Sequence, residues 1–210
     1  MSDSTRPRVK QGRPPKISRP EILAAARRVI DDRGIARLTM RQLATELGTT
    51  PMAIYYHVQN RDELLLLLLD DYAGGVDRPC LPDEPRARLV AAAATVHDVL
   101  ARCPWIVEVL TADDLVAGSA LWIVETIVDA AVACGLGPDE AVRAYRAIWY
   151  YTAGEIVVRA ARRPSDAELL GRLDPVAHPR LSSLAERWPE LAGEDTYRHG
   201  LQALVAGLLD

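Results

Sequence analysis

The 210 residues suffice for one or two domains with a sizeable buried core. Ala, Leu, Val and Arg dominate, Phe is absent and alternating β-branched runs are scarce, which favours an all-α fold. The net charge of −4 divides into +7 over residues 1–61 and −11 over residues 62–210, a basic front on an acidic body that suits contact with phosphates at one end only.

Residues 1–17 read as a flexible basic arm, with Arg6, Arg8, Lys10, Arg13 and Lys16 interleaved with three prolines. Gly12-Arg13-Pro14 resembles the short Arg-Pro segments that lie in narrow A·T-rich minor grooves, where the negative potential attracts arginine. The arm has no apolar segment behind its charges, so a secretory signal is not expected. No apolar run approaches the roughly 18 residues that a membrane-spanning helix needs. Cys80, Cys103 and Cys134 are scattered without a CxxC pair, as expected of reduced thiols in a cytoplasmic protein.

Ser18-Arg19-Pro20-Glu21 is a capping box that starts a first helix, with Ile22, Ala25, Ala26, Val29 and Ile30 at helical spacing and Gly34 closing it. Thr39 caps a second helix, expected over Met40 to Leu47. Gly48 supplies the turn, and Thr50 and Pro51 start a third helix, expected to reach Val58. Leu43, Leu47, Ile54 and Val58 are placed to pack together, leaving Met52, Ala53, Tyr55 and His57 pointing elsewhere. Asn60 to Glu63 repeats the capping pattern. A short helix held in this way fits the DNA major groove.

The ordered residues Leu38 to Ala44, Leu47-Gly48, Tyr55 to Val58, Asn60-Arg61 and Glu63 to Leu65 resemble the DNA-binding domain of TetR-family transcriptional regulators, with the recognition-helix region nearest the tetracycline-repressor-like branch. The resemblance implies a three-helix helix-turn-helix domain over 18–62. It also implies a helical ligand-binding and dimerisation domain over 63–210, entered by a linking helix at 63–75. Carried over residue by residue, it implies DNA contacts from Arg41, Thr50, Met52, Ala53, Tyr55, His57 and Arg61, with Arg13 of the arm added. Arg41 is placed to read guanine, Met52 and Ala53 thymine methyls, and Tyr55, His57 and Arg61 phosphates.

Six consecutive leucines, Leu64 to Leu69, make the fourth helix apolar on all sides, which demands cover on all sides. Gly74-Gly75 and Pro79 to Pro85 interrupt the pattern. Helices are then expected from Arg86, over Trp105 to Leu110, over Ser119 to Cys134, over Asp139 to Arg163 and from Asp195, with one short helix at Ser182 to Arg187. The apolar stripe of the longest helix is too wide for one face. With the final helix 195–210 it suggests a homodimer through a four-helix interface.

The aromatic residues of the body suit a cavity for a small hydrophobic ligand, with His97, Trp105, Glu108, Trp122, Glu125, Tyr145 and Trp149 as candidate ligand-binding residues. The tetracycline repressors hold a magnesium-bound drug through histidines. Here the helix after Asn60 has none, so no metal or cofactor is expected. No GxSxG, HExxH, Walker A or dinucleotide-binding glycine pattern supports an enzyme. The expectation is a cytoplasmic, dimeric repressor released from double-stranded DNA by a small-molecule effector. A transcriptional activator and a ligand-independent DNA-binding protein are the alternatives.

Overall fold

The computed structural model describes residues 17–112, 117–161 and 172–210; the expectation for the basic arm, Arg13 included, lies outside the described residues. Every regular element among the described residues is helical. The chain divides into two compact units between Leu68 and Leu69.

In the first unit α1 spans Arg19–Arg33, α2 Met40–Glu46 and α3 Pro51–Tyr55, and α4 begins at Arg61. Local chemistry sets each start. The Glu21 carboxylate accepts from the Ser18 N–H at 2.8 Å and the Ser18 hydroxyl at 2.6 Å, which holds its pKa below the usual carboxylate value. Thr39 accepts from the Gln42 N–H and Thr50 from the Ala53 N–H. Asn60 accepts from the Glu63 N–H at 2.8 Å, while Glu63 reaches back to the Gln59 N–H at 2.6 Å, one residue earlier than a standard capping box. Ile22, Ala25, Ala26, Leu38, Leu43, Ile54, Val58, Leu64, Leu65 and Leu68 are almost wholly buried. Leu47, at the end of α2, is half-buried. The third helix ends earlier than expected. The Tyr56-His57 turn tightens as His57 N–H donates to the Ile54 carbonyl at 2.8 Å, three residues back.

The fourth helix, α4, runs Arg61–Gly74 through the division. Of its six leucines, Leu64, Leu65, Leu68 and Leu69 are buried, and Leu66 and Leu67 half-buried.

The second unit continues with α5 (Pro85–Leu100), α6 (Pro104–Ala112), α7 (Leu121–Ala133), α8 (Pro138–Ala160), α9 (Pro179–Leu184), α10 (Trp188–Leu191) and α11 (Tyr197–Leu209). The longest helix begins at Pro138, with the Glu140 carboxylate accepting the Gly137 N–H at 3.0 Å. The short helix expected at Ser182 to Arg187 is instead two short helices, of six and four residues, each with proline in its first turn, where a missing N–H costs nothing. Asp195 lies outside the final helix and accepts the Tyr197 N–H. No single helix among the described residues is long and apolar enough to cross a membrane.

Small residues let α5, α7 and α8 approach closely: Ala92, Ala93, Ala130, Ala131 and Ala141 are fully buried in one core with Leu89, Ile127, Leu201 and Val205. Tyr197 of α11 lies in this core at 1% exposure. Its hydroxyl lies 2.8 Å from the Thr152 hydroxyl of α8 and 3.4 Å from the Ala93 carbonyl of α5. The His97 ring stacks on it at 3.7 Å and the Tyr151 ring at 5.4 Å. Gly200 makes room for Tyr151, since a Cβ there would collide with the Tyr151 hydroxyl.

Burial, outweighing the Thr152 hydrogen bond, pushes the Tyr197 pKa from 10.0 to about 12. Above pH 10 the unfolded chain releases this proton while the folded chain keeps it, so stability falls as pH rises toward 12. Tyr197→Phe is expected to remove about 2–3 kcal/mol of that decline. Denaturant midpoints measured from pH 9 to 12 check this.

Candidate nucleic-acid interface and ligand cavity

The α2–turn–α3 segment is built around Gly48, whose φ of 62° lies in the left-handed region. The Gly48 N–H donates to the Thr45 carbonyl and the Thr49 N–H to the Ala44 carbonyl, closing α2. On α3, Ile54 is fully buried while Met52 is 76% exposed and Tyr55 45% exposed. An apolar side chain left that bare on a five-residue helix adds nothing to the core of its unit. Arg41 and Thr50 are exposed, and Ala53, His57 and Arg61 half-buried. Thr50 uses an oxygen lone pair on the Ala53 amide and retains its hydroxyl proton for another acceptor.

Tyr56, 86% exposed with its ring 5.3 Å from His57, was not among the sequence-selected contacts. The signal was available. Ile54 and Val58 both turn inward, which leaves Tyr56 as well as Tyr55 outside. A clamp supports the end of α3: Arg19 donates to the His57 carbonyl at 3.1 Å and lies 3.6 Å from Glu63.

The second unit holds a partly open cavity of about 310 Å³. Its wall is drawn from the end of α4, from α5, α6, α7 and α8, and from the segment at Ala117. Trp122, Tyr145 and Trp149 line it. Trp105 and Glu108 of α6 and Glu125 of α7 do not; both carboxylates face solvent and Trp105 is half-buried elsewhere. His97 is also off the wall. Its ring lies 2.8 Å from Glu155 and 3.3 Å from Asp98 while stacking on Tyr197. Glu155 and Asp98 are tied in turn to Arg159 at 2.5 Å and Arg198 at 2.6 Å. His97 thus belongs to a polar network joining α5, α8 and α11. Thr152 connects the two regions, because it lines the cavity and meets the Tyr197 hydroxyl.

Sequence reasoning missed Leu69, Tyr72, Ala73 and Val76 on the wall. Leu69, Tyr72 and Ala73 share one face of α4 and Val76 follows just past its end, a pattern hidden by the leucine run beside it. Among the described residues no group of three or more His, Cys, Asp or Glu is placed to hold a metal ion.

Residues 22–68 match the family described as bacterial regulatory proteins, tetR family, and residues 79–210 match the tetracyclin repressor-like C-terminal domain. The chain is 30% identical over 219 residues to the HTH-type transcriptional repressor DrrR1 of Streptomyces coeruleorubidus, covering 96% of this chain and 80% of that one. Its structure is similar to that of BioQ bound to a double-stranded DNA operator, with a TM-score of 0.68, 29% identity and coverage of 92% and 98%. It is also similar to ActR of Streptomyces coelicolor in complex with actinorhodin, with a TM-score of 0.70, 25% identity and coverage of 92% and 97%.

The turn makes a direct demand on residue type. Gly48→Ala is expected to destabilise the chain by about 1–2 kcal/mol through left-handed backbone strain. Gly48→Asn should cost less, since asparagine tolerates that region. Thermal unfolding of both variants checks the order.

Proposed function

We propose, for a chain that belongs to the tetR family of bacterial regulatory proteins, that this DNA-binding transcriptional regulator is a repressor released from its operator by a small hydrophobic ligand. One observation carries the DNA half: α3 buries Ile54 completely and leaves Met52, Tyr55 and Tyr56 outside, next to a left-handed glycine turn. That face suits the major groove. Arg41 is assigned to a guanine edge, Met52 and Ala53 to thymine methyls, and Thr50, Tyr55, His57 and Arg61 to phosphates. Arg13 of the arm is assigned to the minor groove. Tyr56 joins the phosphate group on the strength of its exposure. Support for repression comes from the relative named as a repressor.

The cavity supports the ligand half, as does ActR, whose structure is described in complex with actinorhodin. Trp122, Tyr145 and Trp149 are the proposed ligand contacts among the residues selected from sequence. The linking role falls to α4, which supplies Leu64, Leu65 and Leu68 to the first unit and Leu69 and Tyr72 to the cavity wall. A ligand that prefers one arrangement of this wall lowers DNA affinity by its differential binding to the two states.

The proposed assembly is a cytoplasmic homodimer through α8 and α11 that reads a two-fold symmetric operator. Val142, Tyr150, Val157 and Val158 leave an exposed apolar stripe along α8 in support of it.

Selection from a random duplex pool at about 0.15 M salt, where non-specific binding is weak, tests the proposal. The expected product is a symmetric site with spaced half-sites. On it, Arg41→Ala should cost about 1–3 kcal/mol and relax a single base position. An equal loss on every sequence contradicts base reading by Arg41.

A further inference from the structure

The hydrogen-bonding capacity of the cavity wall limits what it can hold. Among the described lining residues none carries a charge. A charged group moved deep into the cavity from water would lose its hydration without a partner on the wall, the Arg78 guanidinium lying outside it, 5.1 Å over the Trp122 ring. The hydroxyl groups on the wall are unequal. Thr95 donates to the Ala91 carbonyl at 2.9 Å and Thr152 to the Ile148 carbonyl at 2.8 Å. Tyr72 donates to the Val99 carbonyl at 3.3 Å. Their protons are committed to the protein.

Tyr145 differs. Among the described residues its hydroxyl has no hydrogen-bond partner, and burial raises its pKa above the usual tyrosine value, so it remains a donor at any physiological pH. The indole N–H groups of Trp122 and Trp149 are donors only. The free protons on the wall are therefore those of Tyr145, Trp122 and Trp149, while the Thr95, Thr152 and Tyr72 hydroxyls offer only oxygen lone pairs. The half-buried rings of Trp122, Tyr145 and Trp149 add flat apolar surface. A volume of about 310 Å³ stands at the small end of ligand pockets, roughly 300–1,000 Å³.

We infer that the cavity takes an uncharged, ring-bearing molecule that presents a hydrogen-bond acceptor, such as a ketone or quinone carbonyl, to Tyr145. The inference rests on the ligand-responsive reading above and names the ligand class for it. It discriminates against anions and cations of the same shape, and against hydrocarbons without an acceptor.

Three probes of one ring system test it: 9-fluorenone, fluorene and 9-oxofluorene-4-carboxylate. Binding is read from quenching of tryptophan fluorescence, since Trp122 and Trp149 are two of the four tryptophans. Fluorenone is expected to bind about 5-fold tighter than fluorene, the worth of one hydrogen bond. The carboxylate should bind at least about 10-fold more weakly than fluorenone. Tyr145→Phe should bring fluorenone down to the affinity of fluorene and leave fluorene unchanged. The wild-type series is informative even where the variant folds poorly. Equal or tighter binding of the carboxylate overturns the inference, as does an unchanged fluorenone-to-fluorene ratio in Tyr145→Phe, or binding of none of the three. Operator affinity measured with saturating probe separates the two levels. Selective fluorenone binding with no loss of DNA affinity sinks the regulatory reading and keeps the ligand class. Release of DNA by a charged probe does the reverse.

Discussion

The second unit depends on burying one phenol. Tyr197 carries a hydroxyl that cannot be left unpaired in a core, because an unsatisfied buried polar group costs about 1–3 kcal/mol. Its two oxygen contacts lie on different helices, Thr152 on α8 and the Ala93 carbonyl on α5. Its ring stacks with His97 from α5 and with Tyr151 from α8. One side chain therefore sets the spacing of three helices. Alanines provide the closeness this requires, and Gly200 admits Tyr151 where any side chain would obstruct it. The ion pair at the edge from Asp98 to Arg198 lies on exposed side chains and adds little by comparison, whereas Glu155, paired with Arg159, is mostly buried.

The helix starts and the turns were legible because they are local chemistry. Ser18, Thr39, Thr50 and Asn60 all sit at helix starts, and Gly34 and Gly48 both adopt positive φ. A side chain that caps an amide three residues away carries its meaning in the sequence. The end of α3 was not legible, because the choice between a further α-turn and a tighter one is made by small differences in the Tyr56-His57 backbone.

Cavity membership was legible for large aromatic residues on the apolar helices, Trp122 of α7 included. Trp149 and Tyr145 qualify, whereas His97 does not. Periodicity tells which face of a helix is covered but not by what. His97 is buried as an aromatic residue near a stripe should be, yet what covers it is Tyr197, a hundred residues later. The end of α4 failed for the opposite reason. With leucine at every position from 64 to 69, periodicity gave no contrast that would mark Leu69, and Tyr72 and Val76 follow only near and past the helix end. The exposed positions of α3 were simpler to read, since a helix of five residues has few inward positions; the DNA contacts proposed among them rest on the family resemblance.

The cavity wall contains two kinds of residue with different freedom to change over time. Ala93, Ile127, Ile148 and Thr152 are almost wholly buried and hold helices together as well as lining the space. Exchange at these positions alters the fold along with the pocket. Trp122, Tyr145 and Trp149 are only half-buried, and the helix-spacing contacts of Tyr197 do not pass through them. Substitutions at a few rings can therefore change the chemistry of the wall over time, while the packed helices behind it are inherited intact.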